Sequence, residues 1–420
     1  MTKVARISNC LCCNNDNLEK ILDLGSQPLA NNYEGSYESA IRQAIFPLGI
    51  NLCRVCWNAQ LTHLVDRSAI FENYSYKSGT SRTLTRYFSW FASCLKRILP
   101  SNSRVLELAA NDGSLIKELR KKEICCLGID PASNLVDRAV EEGLPMLRGS
   151  WPDIATLIDS KYDCIVAMNV LAHVGSPREF LDAASKVLTD SGIIFVQPSQ
   201  ARIFANHEFD TIYHEHVCFF NSRSIEYLAS SVGLKLIGEL LVTVHGDSPI
   251  YVLAKSNTEC SWPDIQKAFA RHPLFFIDED LKNFEVSSRL FHIETYQMFK
   301  LAVEKSLDKL RFQIESYRKE GFKIALVGAA AKAMTVLNSA KINVDIVIDE
   351  NPLKIGKYPP LNDPPSVSPL DQKSIPDSKT IFIVGAWNFF DEITSKLARY
   401  SVATGSIACT YFDDSRRIYF

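Results

Sequence analysis

From Arg104 onward the chain alternates short apolar runs with amphipathic stretches, and this alternation constrains the fold more than any other feature. Residues 104–108, 125–129, 164–168 and 192–197 are compact apolar runs, while 114–121, 132–142 and 177–188 repeat apolar positions at helical spacing. Strands separated by helices pair in parallel with both faces covered, so the expected class is α/β with a doubly wound sheet. Residues 211–253 continue as a loop, a helix over 222–232 and two strand-like runs, which predicts antiparallel strands at the edge of that sheet. A second set of strands, 323–327, 344–348 and 380–384, with a helix between 328 and 340, predicts a smaller Rossmann-like domain.

The rest of the chain frames these two sheets. Leu84, Tyr87, Phe88, Phe91, Leu95 and Ile98 predict a helix over 81–99 that ends at Pro100, and 285–321 reads as a long amphipathic connector with apolar Leu290, Ile293, Tyr296, Met298, Leu301 and Val303. With 420 residues, the chain exceeds what one core supports, roughly 250 to 300 residues. The expected division is 1–72, a small loop-rich module, 73–283, the main sheet, and 284–420, the connector helix and second sheet.

Charge and hydropathy exclude several function classes. Lys plus Arg number 46 against 48 Asp plus Glu, a net charge of -2, so nothing global marks a nucleic-acid binder. No apolar run reaches the ~18 to 20 residues of a membrane span, and residues 1–10 lack the apolar core of a signal peptide. A cytoplasmic protein without a membrane partner is expected. In that reducing compartment its 12 cysteines are thiols or metal ligands rather than disulfides.

Their spacing is specific. Cys10-Leu-Cys-Cys13 and Cys53-Arg-Val-Cys56 are two Cys-x2-Cys knuckles, each able to present two thiolates to one ion, and together they complete a closed tetrahedral zinc site with no open position. Cys12 could replace Cys13 geometrically, but Cys10 with Cys13 has the usual spacing.

In the run 105–113, Val-Leu-Glu-Leu-Ala-Ala-Asn-Asp-Gly, Glu107 lies on the first strand, and the turn through Ala109, Asn111 and Gly113 leads into a helix N-terminus. A nucleotide-like ligand belongs there. Asp130, after the next strand, can accept both ribose hydroxyls, and Asn169 ends the strand over 164–168 beside the same crevice. Ala109 and Asn111 stand where glycines are common, and the three-glycine fingerprint of nicotinamide enzymes is missing.

Residues 209–216, Phe-Asp-Thr-Ile-Tyr-His-Glu-His, form the densest titratable cluster. A histidine there suits proton abstraction beside a carbonyl, with a neighbouring carboxylate to orient it. His-x-His lacks a third ligand at helical spacing, which argues against a metal. His173 follows the strand over 164–168 and serves either the crevice or the core; Tyr74, Tyr76 and the turn 245–248 are further candidates to line it.

In order along the chain, these knuckles, Leu-Gly-x-Gln-Pro-Leu-Ala at 24–30, Tyr-x-Tyr-x-Ser at 74–78, Glu-Leu-Ala-Ala-Asn-Asp-Gly, residues 169–173, Tyr-His-Glu-His at 213–216 and Gly-x3-Lys at 328–332 resemble the dTDP-sugar C-methyltransferase family. The resemblance implies an S-adenosylmethionine-dependent methyltransferase with one structural zinc, acting on a nucleotide-linked 4-keto-6-deoxysugar as a monomer or weak dimer. It implies that His216 is the general base and that Glu215 assists it. Tyr213, Tyr76 and His173 would position substrate or stabilise the oxyanion, and Lys332 would contact a phosphate. Two alternatives remain open at this point, a nicotinamide-dependent oxidoreductase or epimerase and a non-catalytic nucleotide-binding assembly protein.

Overall fold

The computed structural model describes residues 4–66, 70, 82–244, 247–259, 261–271, 274–376, 379–400, 402 and 407–409. Its largest sheet has eight strands. Strands β6 (Arg104–Leu108), β7 (Cys125–Asp130), β8 (Met146–Arg148), β9 (Tyr162–Met168) and β10 (Leu188–Gln197) are parallel, and β12 (Leu234–Val242), β13 (Ser248–Lys255) and β14 (Phe276–Ile277) extend the edge. The order is β14-β12-β13-β10-β9-β6-β7-β8, with β13 antiparallel to both its neighbours. The expected doubly wound α/β class and its antiparallel extension are therefore present; the short β8 had no legible pattern of its own. The helix Arg82–Ile98 lays Tyr87, Phe91 and Leu95 on one face, and Tyr87 donates a hydrogen bond to the Gln197 side chain on β10 at 3.0 Å.

The N-terminal section is more ordered than a loop-rich module. Strands β2 (Leu18–Gln27), β3 (Phe46–Cys53) and β4 (Ala59–Leu61) form an antiparallel sheet, and β1 (Val4–Arg6) pairs with β5 (His63–Val65). Register shifts in the β2–β3 pair, between Lys20 and Leu22 and again between Asp23 and Ser26, bury Ile21 and Leu22 consecutively. Those irregularities break the alternation by which a strand is recognised in sequence. The fourth strand of this sheet, β11 (Cys218–Phe219), comes from the 209–216 loop's continuation and pairs with β4.

The C-terminal sheet is wholly parallel in the order β17-β16-β15-β18-β19, built from β15 (Lys323–Val327), β16 (Ile346–Ile348), β17 (Val367–Ser368), β18 (Thr380–Val384) and β19 (Ile407–Cys409). The connector splits into Leu281–Ser287 and Ile293–Lys319, with Arg289 in the left-handed region at φ 55°. The longer helix buries Tyr296, Phe299, Val303, Leu307, Leu310 and Ile314, the spacing of one helical face, whereas Met298 and Leu301 face outward. One core runs from this helix into both the N-terminal sheet and β15. Among the described residues no helix is long and apolar enough to cross a membrane.

Candidate active site

The chain leaves β6 toward β7 and β8 on one side and returns as β9 and β10 on the other, so the carboxyl ends of β6 and β9 flank the topological switch point where such sheets bind ligands. The turn after β6 places Ala109 at φ 57°, Asn111 at φ 51° and Gly113 at φ 73°. The sequence departs from glycine at two of these positions, yet the backbone keeps the left-handed conformation that glycine adopts at least cost. Asp130 holds the turn. Its Oδ2 accepts from the Asn111 amide at 2.8 Å and its Oδ1 from the Ala132 amide at 2.9 Å, fixing a buried carboxylate beside the crevice. Burial raises its pKa, opposed by those amides.

Glu107 on β6 is also buried, and desolvation followed by the Asp130 and Asp112 charges holds its carboxyl well above the carboxylate range. Its Oε2 makes no hydrogen bond among the described residues. Buried polar atoms of this kind call for a partner, and a ligand carrying donors satisfies it. Asn169 stands exposed just beyond β9 at φ 53°, its amide bonded to the Gln197 carbonyl at 2.7 Å.

His216, His173 and Tyr213 come together across this crevice's edge. The His173 and His216 rings lie 4.9 Å apart, and the Tyr213 ring lies 4.2 Å from His216. His216 Nδ1 sits 2.7 Å from the Thr211 carbonyl oxygen, which can only accept, so Nδ1 carries the proton. Nε2 is then the basic nitrogen, and it receives a 3.0 Å hydrogen bond from the Tyr213 hydroxyl. The Val217 amide donates to Ala172 at 2.7 Å, tying this loop to the segment that follows β9.

The two intervening residues serve the other side. His214 is buried with Nε2 3.2 Å from the Phe46 carbonyl of the N-terminal sheet, and burial lowers its pKa to about 4. Glu215 accepts a 2.6 Å hydrogen bond from the Asn31 side chain, and burial raises its carboxyl to about 7. The resemblance implies that Glu215 assists His216; its hydrogen bond goes to Asn31, because His214 and Glu215 both turn toward the N-terminal sheet while Tyr213 and His216 meet each other. A carboxyl raised from 4.5 to about 7 favours the fold below pH 4.5, and that stabilisation declines as pH rises and is gone above about 7. Glu215→Gln should therefore reduce the loss of stability between about pH 5.5 and 8.5 by roughly 2 kcal/mol, read from urea unfolding at both values. An unchanged difference would refute it.

Sγ atoms of Cys10, Cys13, Cys53 and Cys56 all lie within 4.8 Å of one another, with Cys10–Cys56 at 3.5 Å and Cys13–Cys53 at 3.6 Å. Four sulfurs at ~2.3 Å from one tetrahedral ion are separated by nearly that distance. Hydrogen bonds from Cys12, Cys53 and Cys56 lower the Cys10 thiol, and the Cys10 thiolate in turn pushes Cys53 up to about 11 and Cys56 higher still. Four thiols this close cannot all ionise without a cation, and zinc, which binds them as thiolates, fits the set. Cys12 is buried outside the set, beside Cys218.

Tyr74, Tyr76 and His245 lie outside the described residues. Sequence reasoning missed Asn31 and the Thr211 carbonyl. Asn31 directly follows the 24–30 motif, a signal that could have flagged it; a backbone carbonyl leaves no signal at all.

Three family matches run along the chain in order. A zinc binding domain family matches residues 10–71, a methyltransferase domain family 80–239, and a family described as the C-methyltransferase C-terminal domain 278–410. The C-methyltransferase NovU of Streptomyces niveus is 26% identical over 401 residues, covering 93% of this chain and 92% of that protein. The chain is a C-methyltransferase. Its methyl donor is S-adenosylmethionine, its N-terminal cysteines hold a structural zinc, and its eight-stranded sheet is the class I methyltransferase sheet. Solved structures similar to part of this C-methyltransferase include an S-adenosylmethionine-dependent methyltransferase from Clostridium acetobutylicum, 14% identical over 45% of this chain and 95% of that one with a TM-score of 0.34. Another is the magnesium protoporphyrin IX methyltransferase of Synechocystis PCC 6803, at 11% identity, 41% and 83% coverage and a TM-score of 0.35. The oxidoreductase and non-catalytic alternatives are set aside for this C-methyltransferase.

Proposed function

We propose that this C-methyltransferase deprotonates the carbon beside the ketone of a nucleotide-linked, dTDP-type 4-keto-6-deoxysugar and methylates that carbon, in the cytoplasm. The observation that carries the reading is the fixed tautomer of His216, whose Nδ1 is held by the Thr211 carbonyl so that Nε2 is available as base. S-adenosylmethionine supplies the methyl group. His216 removes the proton, the enolate carbon forms the new bond to the methyl, and the pair of electrons of the breaking carbon–sulfur bond leaves with sulfur. Tyr213, with its hydroxyl at His216, and His173, with its ring beside it, are the groups for the enolate oxygen. Tyr76 is retained in that role on the sequence resemblance alone.

For the methyl donor, Asp130 is assigned the ribose hydroxyls, Glu107 a donor group through its unbonded Oε2, Asn169 the crevice mouth, and Ala109, Asn111 and Gly113 the turn that admits the ligand. Residues 1–72 hold zinc, 73–283 the methyl donor and base, and 284–420 the nucleotide-sugar. Incubation with methyl-labelled S-adenosylmethionine and a panel of dTDP-ketosugars, followed by mass spectrometry, should show one labelled methyl on carbon in one member. Labelling of none, or a label that fragmentation places on an oxygen rather than on carbon, would sink the substrate assignment.

A further inference from the structure

Asp210 is fully buried in the single turn Phe209–Thr211 that immediately precedes the base loop. Its Oδ2 lies 3.6 Å from Lys332 Nζ and accepts a 2.8 Å hydrogen bond from Trp387 Nε1. The Lys332 ammonium also sits 4.7 Å over the Trp387 ring. These two partners come from separate places in the C-terminal domain, Lys332 from the first turn of the helix Ala331–Ala340 after β15 and Trp387 from the turn after β18. That helix packs directly on the Asp210 turn. A carboxylate removed from water is tolerated only when paired, so the turn is seated where the pair can form. The next carbonyl along the chain, that of Thr211, receives the proton-bearing Nδ1 of His216.

We infer that Asp210 is a positioning residue for the base, and that Lys332 and Trp387 of the C-terminal domain hold it in place, so that this domain sets the His216 tautomer across the domain boundary. The inference rests on His216 being the base. It assigns Lys332 a role different from the phosphate contact suggested by sequence, on the ion pair its ammonium makes with Asp210. Two partners on Oδ2, with Oδ1 bonded to no described residue, fix the turn, the turn fixes the Thr211 carbonyl, and that carbonyl decides which imidazole nitrogen carries the hydrogen. Removing the pair frees the turn without touching the imidazole.

The test is 15N NMR of histidine imidazoles in the full-length, zinc-loaded chain, with the His216 signals identified by their disappearance in His216→Ala. Wild type should show Nδ1-protonated His216 over the other tautomer by ~10-fold or more, the bias a single well-made hydrogen bond gives. Asp210→Asn and Lys332→Met should bring the ratio to within ~3-fold of even, and Lys332→Arg, which keeps the cation, should keep the wild-type ratio. Zinc content and S-adenosylhomocysteine binding report whether each variant folds; if Asp210→Asn does not, Lys332→Met decides. An unchanged tautomer in Lys332→Met, or Lys332→Arg behaving as Lys332→Met does, overturns the inference. So does weaker dTDP binding by Lys332→Met with the tautomer intact, which would make Lys332 a phosphate ligand. The base assignment itself stands or falls separately, on proton exchange in His216→Ala.

Discussion

His216→Ala should lower methyl transfer by about 10²- to 10⁴-fold, the contribution of a well-placed general base, while S-adenosylmethionine affinity stays within ~2-fold of wild type. The expected separation follows from topology. His216 sits on the loop after β10, whereas the groups assigned to the methyl donor lie at the carboxyl ends of β6, β7 and β9 and in the turn after β6, where backbone amides bond Asp130 and Asn169 has its own backbone bond. With Nδ1 bonded to the Thr211 carbonyl, only Nε2 can take a proton, and Tyr213 already points its hydroxyl there. The direct measurement is exchange of the proton beside the ketone of dTDP-4-keto-6-deoxyglucose with deuterated water, without methyl donor. His216→Ala should abolish it and Tyr213→Phe should slow it. Exchange at the wild-type rate in His216→Ala would remove His216 from the role, whatever the substrate proves to be.

The main sheet was legible because its parallel strands are short apolar runs between amphipathic helices. Each element from Arg104 to Gln197 that carried such a run appears within a few residues of its expected bounds; the strand β8, three residues long, and the short turns Asp153–Leu157 and Leu171–His173 were invisible. The N-terminal sheet was not legible, since bulges in β2 remove the period-two pattern and its fourth strand, β11, lies more than 150 residues away in sequence. The connector misled locally: Met298 and Leu301 are apolar but 64% exposed, because the buried stripe runs through Tyr296, Phe299 and Val303. At the site, residue types marked the His216 cluster and Asp130, but not which way each side chain turns. Glu215 is next to His216 in sequence and bonded to Asn31 in space, a result of the loop being gripped between two domains. No spacing rule predicts the Asp210–Lys332 pair, whose members are joined only by folding.

Loss of zinc should cost turnover by about 10²-fold or more while S-adenosylhomocysteine binding persists, although no cysteine belongs to the group of residues around His216. Structural zinc contributes ~10–16 kcal/mol of apparent binding free energy in small modules, and that energy is folding energy here because four crowded thiolates repel without a cation. The module is the floor on which the loop carrying His216 rests. Its β4 pairs with β11 through Gln60 to Cys218 and Ala59 to Phe219, its Asn31 holds Glu215, and its Phe46 carbonyl meets His214. His216 lies between these anchors, so loosening the module loosens the proposed base before it disturbs the crevice beyond β6. Cys53→Ser tests this by zinc content, turnover and S-adenosylhomocysteine binding measured together, and Cys12→Ser is the matched control, a buried cysteine outside the cluster that should retain zinc and most of its activity. If Cys53→Ser lost zinc and still turned over at the wild-type rate, the mechanical link between module and base would be wrong. If it lost S-adenosylhomocysteine binding in parallel, the module would support the whole fold rather than the base loop.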